Sequence, residues 1–269
     1  MFRQIIAPVD FSPLSGLGLR WAGALARCGD ARLTVVYANP LNPPAYFTAG
    51  RVEELQVRHR EEMREAGEQL RRFASAALGP AAFEARVAQA LPVDAILAAA
   101  EETGADLIVM GTHGRSGFNR FMLGSVAERV LHQSTIPVLT VRGDAERAPD
   151  IRSILCPVND SAAGRSALAV AARLAECAGA KVTALHVVEP GGPPPPEGAQ
   201  VIRQGDAAAE IVAAAAELPC DLLVIGTNRK LFYDATVLGT TTARVVRHAP
   251  CPVLTVVETG SARTREAEV

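Results

Sequence analysis

Aromatic residues make up only 4% of this 269-residue sequence, and charge is nearly balanced at a formal net of −2. The scarcity of rings means that a core must be filled by aliphatic side chains. Hydrophobic residues reach 49% of the chain, which is long enough for two ordinary domains or one large one. The balance of charge leaves no basic surface for a polyanion, so nucleic acid is not an expected partner. No run approaches the roughly eighteen apolar residues of a membrane-spanning helix, and no membrane association is expected. The opening Met1–Asp10 has too short an apolar stretch for a secretory signal, so a cytoplasmic location is expected. The five cysteines (Cys28, Cys156, Cys177, Cys220, Cys251) are odd in number and form no CxxC pair. Reduced, buried thiols are therefore expected, not redox or metal chemistry.

Two phosphate-binding motifs are also missing. No Gly-x4-Gly-Lys-Ser/Thr loop occurs, so there is no P-loop lysine. No Gly-x-Gly-x-x-Gly follows the first strand, which argues against a dinucleotide-dependent dehydrogenase. The histidines outside the glycine loop (His59, His132, His186, His248) are scattered without ligand spacing, and no metal site is indicated.

What the sequence does contain is itself, twice. Ile5–Ser12 (IIAPVDFS) returns as Ile154–Ser161 (ILCPVNDS). Gly104–Thr112 (GADLIVMGT) returns as Pro219–Thr227 (PCDLLVIGT), and Ile136–Val141 (IPVLTV) as Cys251–Val256 (CPVLTV). Three matched blocks in the same order indicate a duplication. The expected domains are residues 1–142 and a shorter 151–258, joined by the polar stretch Arg142–Asp150 and followed by a tail, 259–269.

In the first copy, strands are expected at Gln4–Val9, Leu33–Ala38, Phe83–Ala88, Leu107–Gly111 and Val138–Val141. Several are apolar throughout, as suits a parallel sheet buried on both faces. Helices are expected at Leu14–Cys28, Val52–Ala77, Val93–Glu102 and Ser125–Gln133. In the second of these, Val52, Leu55, His59, Met63, Ala66, Leu70 and Phe73 recur at helical spacing. The alternation predicts an α/β fold: two tandem doubly wound domains, each a five-stranded, mostly parallel sheet with helices on both faces. The second copy replaces the long helix by Pro190–Gly198, whose run of prolines cannot sit inside a helix.

Ligands of such sheets bind beyond the carboxyl ends of the strands. There the first copy reads Gly111-Thr112-His113-Gly114-Arg115, then continues to Gly124-Ser125 and a helix opening on Val126. Gly111 and Gly114 are expected to let backbone approach a ligand and to adopt positive φ. Gly124 and Ser125 stand where a helix N-terminus favours phosphate. Ser125-Val126-Ala127-Glu128 also fits a capping box, and the two roles are compatible. Asp10 is placed either to accept hydrogen bonds from a ribose or base, or to cap the helix after Pro13. His113 and Arg115 lie inside the loop, where Arg115 either steers phosphate or faces solvent.

The spacing Gly111, Gly114, Gly124-Ser125 resembles the ATP-binding signature of the universal stress protein family, whose fold is adenine nucleotide alpha hydrolase-like. The likeness spans nearly the whole chain as a tandem pair. It implies ATP binding, with or without Mg²⁺, and leaves ADP, AMP and cyclic AMP open. Pro8-Val9-Asp10-Phe11-Ser12 matches the family's opening pattern, with Asp10 near the adenosine and Ala38 against the base. Pro8, Met110 and Val126 complete the set of contacts this implies. The resemblance also implies a stress-response or regulatory role, an intramolecular pseudo-dimer through the strands ending each copy, further pairing into a homodimer, and an unidentified protein partner. A slow ATPase and a scaffold without nucleotide are the alternatives.

The second copy keeps Gly226, Gly239 and Thr240 at the positions of Gly111, Gly124 and Ser125. Arg229 replaces Gly114, and Asn159 replaces Asp10. One competent site, in the first domain, is expected.

Overall fold

The computed structural model describes residues 1–40, 49–112, 123–143, 148–227, 230–232, 235–237 and 240–257, with backbone alone along 49–59, 230–232 and 235–237. The first copy runs β1 (Gln4–Val9), α1 (Pro13–Gly29), β2 (Arg32–Ala38), α2 (Ala49–Leu78), β3 (Glu84–Ala88), α3 (Pro92–Thr103), β4 (Leu107–Gly111), α4 (Ser125–Gln133) and β5 (Val138–Val141). The second runs β6 (Ser153–Pro157), α5 (Ala162–Ala178), β7 (Lys181–Val188), β8 (Val201–Gln204), α6 (Ala207–Glu217), β9 (Leu222–Thr227), β10 (Lys230–Phe232), β11 (Ala235–Val237), α7 (Thr240–His248) and β12 (Val253–Val257). Every expected strand and helix of the first copy is present, with ends shifted by no more than a few residues. The β10–β11 hairpin is a separate antiparallel pair in the second copy, and the matching stretch of the first copy lies outside the described residues.

Ten strands form one sheet, in the order β3-β2-β1-β4-β5-β12-β9-β6-β7-β8. Each half is parallel and doubly wound. The halves meet where β5 and β12 run antiparallel, pairing Thr140 with Val253, Leu139 with Leu254 and Val138 with Thr255. The duplication shows at this seam as a local two-fold. Thr140 Oγ1 donates to Val253 O at 3.2 Å, and Thr255 Oγ1 donates to Val138 O at 3.1 Å. The pairing removes two unsatisfied strand edges at once.

Because side chains alternate along a strand, each strand supplies two cores. Ile5, Leu107, Leu139, Ile154 and Leu254 pack beneath α1, α2 and α5 with Leu19, Trp21, Leu70 and Leu174. Ile6, Ile108, Val138, Leu223 and Val253 face α3, α4, α6 and α7 with Ile96, Val130, Ile211 and Val245. Each cluster crosses the seam, so the two copies share their cores. Off the sheet, Glu128 of α4 pairs with Arg247 of α7 at 2.8 Å. Arg142 donates to the closing carbonyls of α7, at Arg247 O (3.1 Å), Ala249 O (2.8 Å) and Val246 O.

The α2 face is partly described: Ala66 and Leu70 are buried and Phe73 is half-buried, while the side chains of Val52, Leu55 and His59 lie outside the described residues. In the second copy, where 190–198 replaces that helix, Leu168 is 37% exposed. Its counterpart Leu19, seventh after the helix cap like Leu168, is fully covered.

The cysteines depart from expectation. Cys28, half-buried, and Cys177, exposed, are joined as a disulfide, with Cα atoms 5.7 Å apart. Cys156 and Cys251 are buried free thiols, and Cys220 is a half-buried one. Sequence gave no hint of the link, because its partners are 149 residues apart and meet only through the symmetry of the fold.

Candidate functional site

The strand order reverses at β1, between β2 and β4, and there the sheet opens a cleft of about 220 Å³. Its floor is Pro8, Val9, Val36 and Ala38 from the ends of β1 and β2, with Met110 and Gly111 from β4. Ile96 of α3 adds an apolar wall, and Gly124–Ala127 bring the first turn of α4 to the rim.

At the end of β1, Asp10 Oδ1 accepts from Ser12 N at 3.0 Å. Helix α1 is capped by Ser12, whose Oγ accepts from Ser15 N at 3.2 Å. Capping therefore belongs to Ser12, and Asp10 sits half-buried on the cleft wall. The turn forces Phe11 to φ 64°, a region costly for a bulky residue. Its ring is held 4.6 Å from Tyr37 and 5.4 Å, edge-on, from Phe73 of α2.

Two expectations about the glycines need correction. Gly111 does not take a positive φ. It is glycine because α1 crosses β4 closely: a Cβ there would lie 3.1 Å from the carbonyl carbon and oxygen of Leu14. The N-cap of α4 is Gly124, at φ −65°, and among the described residues no side chain caps the helix. Ser125 is thus the first helical residue and not a capping-box serine, and Glu128 turns to Arg247 instead. The first turn of α4, Gly124–Ala127, lines the cleft, and among the described residues no side chain caps its backbone N–H groups. His113, Gly114 and Arg115 lie outside the described residues.

The second copy has a corresponding hollow of about 490 Å³. Asn159 repeats the turn of Asp10, its Oδ1 accepting from Ser161 N at 3.3 Å, but without charge. Asp160 and His186 take the places of Phe11 and Tyr37. His186 is buried, with Nδ1 2.9 Å from Val158 O and Nε2 unpartnered among the described residues. Gly226 again lies under a helix, where a Cβ would strike Ala163 O. Thr240–Thr242 replace Ser125–Ala127. Arg229 and Gly239 lie outside the described residues.

The comparison with known families now decides what the fold and its repeat belong to. The model of the universal stress protein family matches residues 1–142, 150–201 and 192–257. The chain belongs to that family. A universal stress protein of Methanocaldococcus jannaschii is 32% identical over 143 residues, covering 53% of this chain and 83% of the relative. One of Mycolicibacterium smegmatis is 26% identical over 287 residues, covering 94% of this chain and 96% of its own, so the likeness runs along both copies of this chain. Among solved structures, a universal stress protein of Archaeoglobus fulgidus covers 95% of this chain and 98% of its own, with a TM-score of 0.69 at 23% identity. That likeness establishes the fold. Among the described residues of this universal stress protein, no helix is long and apolar enough to cross a membrane.

Proposed function

We propose that this universal stress protein binds ATP or a related adenine nucleotide in the cleft of its first domain, residues 1–142, and acts as a regulatory nucleotide-binding protein. One observation carries the reading: an apolar cleft at the strand-order reversal is closed on one side by the N-terminus of α4, which begins on Gly124, a residue with no side chain to cap it. The groups present suit the ligand. Pro8, Val36, Ala38, Met110 and Ile96 offer a flat apolar slot for a base, and the Asp10 carboxylate offers acceptors for ribose hydroxyls. The N–H groups at Ser125 and Val126 favour phosphate through hydrogen bonds and the helix dipole. The family resemblance adds His113, Gly114 and Arg115 to the proposed contacts, and Mg²⁺ would accompany the phosphates.

Residues 151–258 form, in this proposal, a second domain that has kept the frame and lost the ligand. Asn159 lacks the charge of Asp10, and Arg229 stands in the place of Gly114. Calorimetric titration with ATP and magnesium tests both statements. One site per chain, abolished by Gly114→Arg, is expected. Two sites per chain would overturn the assignment to one domain, and no binding of ATP, ADP, AMP or cyclic AMP would overturn the function.

A further inference from the structure

A residue lying on a two-fold axis meets its own counterpart. Helix α1 is capped by Ser12 and α5 by Ser161, and Cys28 and Cys177 are each the sixteenth residue after those caps. They occupy the same place in the two copies. The axis that passes between β5 and β12 also brings their Cα atoms to 5.7 Å, within the usual span of a disulfide. We propose that Cys28 and Cys177 are an oxidant-responsive pair, cross-linked reversibly by a low-molecular-weight disulfide, and that the bond clamps the two domains together.

Three features separate this pair from a permanent structural bridge. Cys177 is exposed, so an attacking thiolate can reach its sulfur. The pair lies in an open depression beside Met1, Arg27, Asp30, Arg173 and Glu176, where two guanidinium groups balance two carboxylates and repel neither sign of oxidant. The domains are already held by the β5–β12 pairing, the Glu128–Arg247 ion pair and the Arg142 contacts, so the fold does not depend on the bond. None of the other three thiols is exposed as Cys177 is. Cys156 is buried, and burial pushes its thiol up to about 12. Cys251 is buried against Cys220, with the two sulfurs 3.4 Å apart.

The chemistry balances. The thiolate of one cysteine attacks a sulfur of glutathione disulfide, releasing one glutathione thiolate and leaving a mixed disulfide. The second cysteine thiolate attacks the protein-side sulfur of that intermediate and releases the other. Two electrons pass from the cysteine sulfurs to the oxidant, and the two cysteine protons end on the two glutathione thiols. Excess reduced glutathione runs the steps backward.

The test equilibrates the full chain in mixtures of reduced and oxidised glutathione, traps free thiols by acid and alkylation, and maps the peptides. A Cys28–Cys177 cross-linked peptide within one chain is expected to grow as the mixture becomes oxidising and to vanish when it is reversed. The oxidised form is expected to melt about 5 °C or more above the reduced form. That difference is expected to vanish in Cys28→Ser and in Cys177→Ser alike. A stable glutathione adduct on Cys177 alone, a link between chains, a bond that survives excess reduced glutathione, or equal melting of the two forms would each overturn the proposal.

Discussion

Phe11 and Phe73 meet edge to face, their ring centroids 5.4 Å apart. The contact ties the turn that carries Asp10 to helix α2, and Tyr37 closes the group from β2 at 4.6 Å. The cluster is not repeated in the second copy: Asp160 replaces Phe11, His186 replaces Tyr37, and the helix bearing Phe73 has no counterpart. The positive φ at Phe11 costs on the order of 1–3 kcal/mol and persists only while its ring is held. Phe73→Ala is therefore expected to lower stability by about 2 kcal/mol in urea unfolding. Nucleotide affinity measured by calorimetry should fall with it, because the wall beside Asp10 loosens.

Asp10→Asn isolates charge from geometry. Asn159 shows that an amide oxygen makes the same turn, so stability should change by less than about 0.5 kcal/mol. ATP affinity is expected to drop by about 5- to 10-fold, the difference between a charge-assisted and a neutral hydrogen bond. Unchanged affinity would remove Asp10 from the ligand contacts.

The two sheet glycines separate packing from binding. Gly111→Ala would press on the Leu14 backbone at 3.1 Å and is expected to cost about 1–3 kcal/mol. Gly226→Ala, driven against Ala163 O, is expected to cost more. Equal, negligible losses in thermal unfolding would show that α1 and α5 shift freely on the sheet.

Arg142 closes α7 from the other domain through several carbonyls. Arg142→Ala is expected to destabilise the chain by about 2 kcal/mol, since buried carbonyls lose charged donors. Arg142→Lys should recover only part of this, because one ammonium cannot reproduce the planar fork. Denaturant unfolding of both variants is the measurement.

Cys156 gives a pH signature. Burial raises its folded-state pKa from 9.0 to about 12, so the neutral thiol is the native form. Its contribution to stability is fully present below pH 9 and is lost as pH rises toward 12. At pH 8 native Cys156 should resist alkylation while Cys177, once reduced, reacts. Rapid native labelling of Cys156 would contradict its burial.

Much of the architecture was legible because buried parallel strands are written as apolar runs and the chain repeats them. Ile5 and Ile6 serve opposite cores, and a reader of sequence needs only their run to place a strand. The edge pairing of Val138–Val141 with Val253–Val257 also followed, from two strands that each end a copy. What stayed hidden depended on geometry between distant elements. Ser125 reads as a cap because serine favours that position, yet the chain places Gly124 there and aims Glu128 across the seam. Gly111 reads as a glycine of positive φ, whereas the close approach of Leu14 is what leaves no room for a Cβ there. Phe11, Tyr37 and Phe73 look unrelated until three elements fold together, and Cys28 finds Cys177 only across the axis.

The antiparallel join of β5 and β12 has one more consequence. Two separate chains that met along this edge would part on dilution, and their stability would fall with concentration. Here the partner edge is tethered by the short stretch after Val141, so its local concentration does not depend on how much protein is present. The second copy can thus serve as a permanent mate for the first, whatever its own hollow holds.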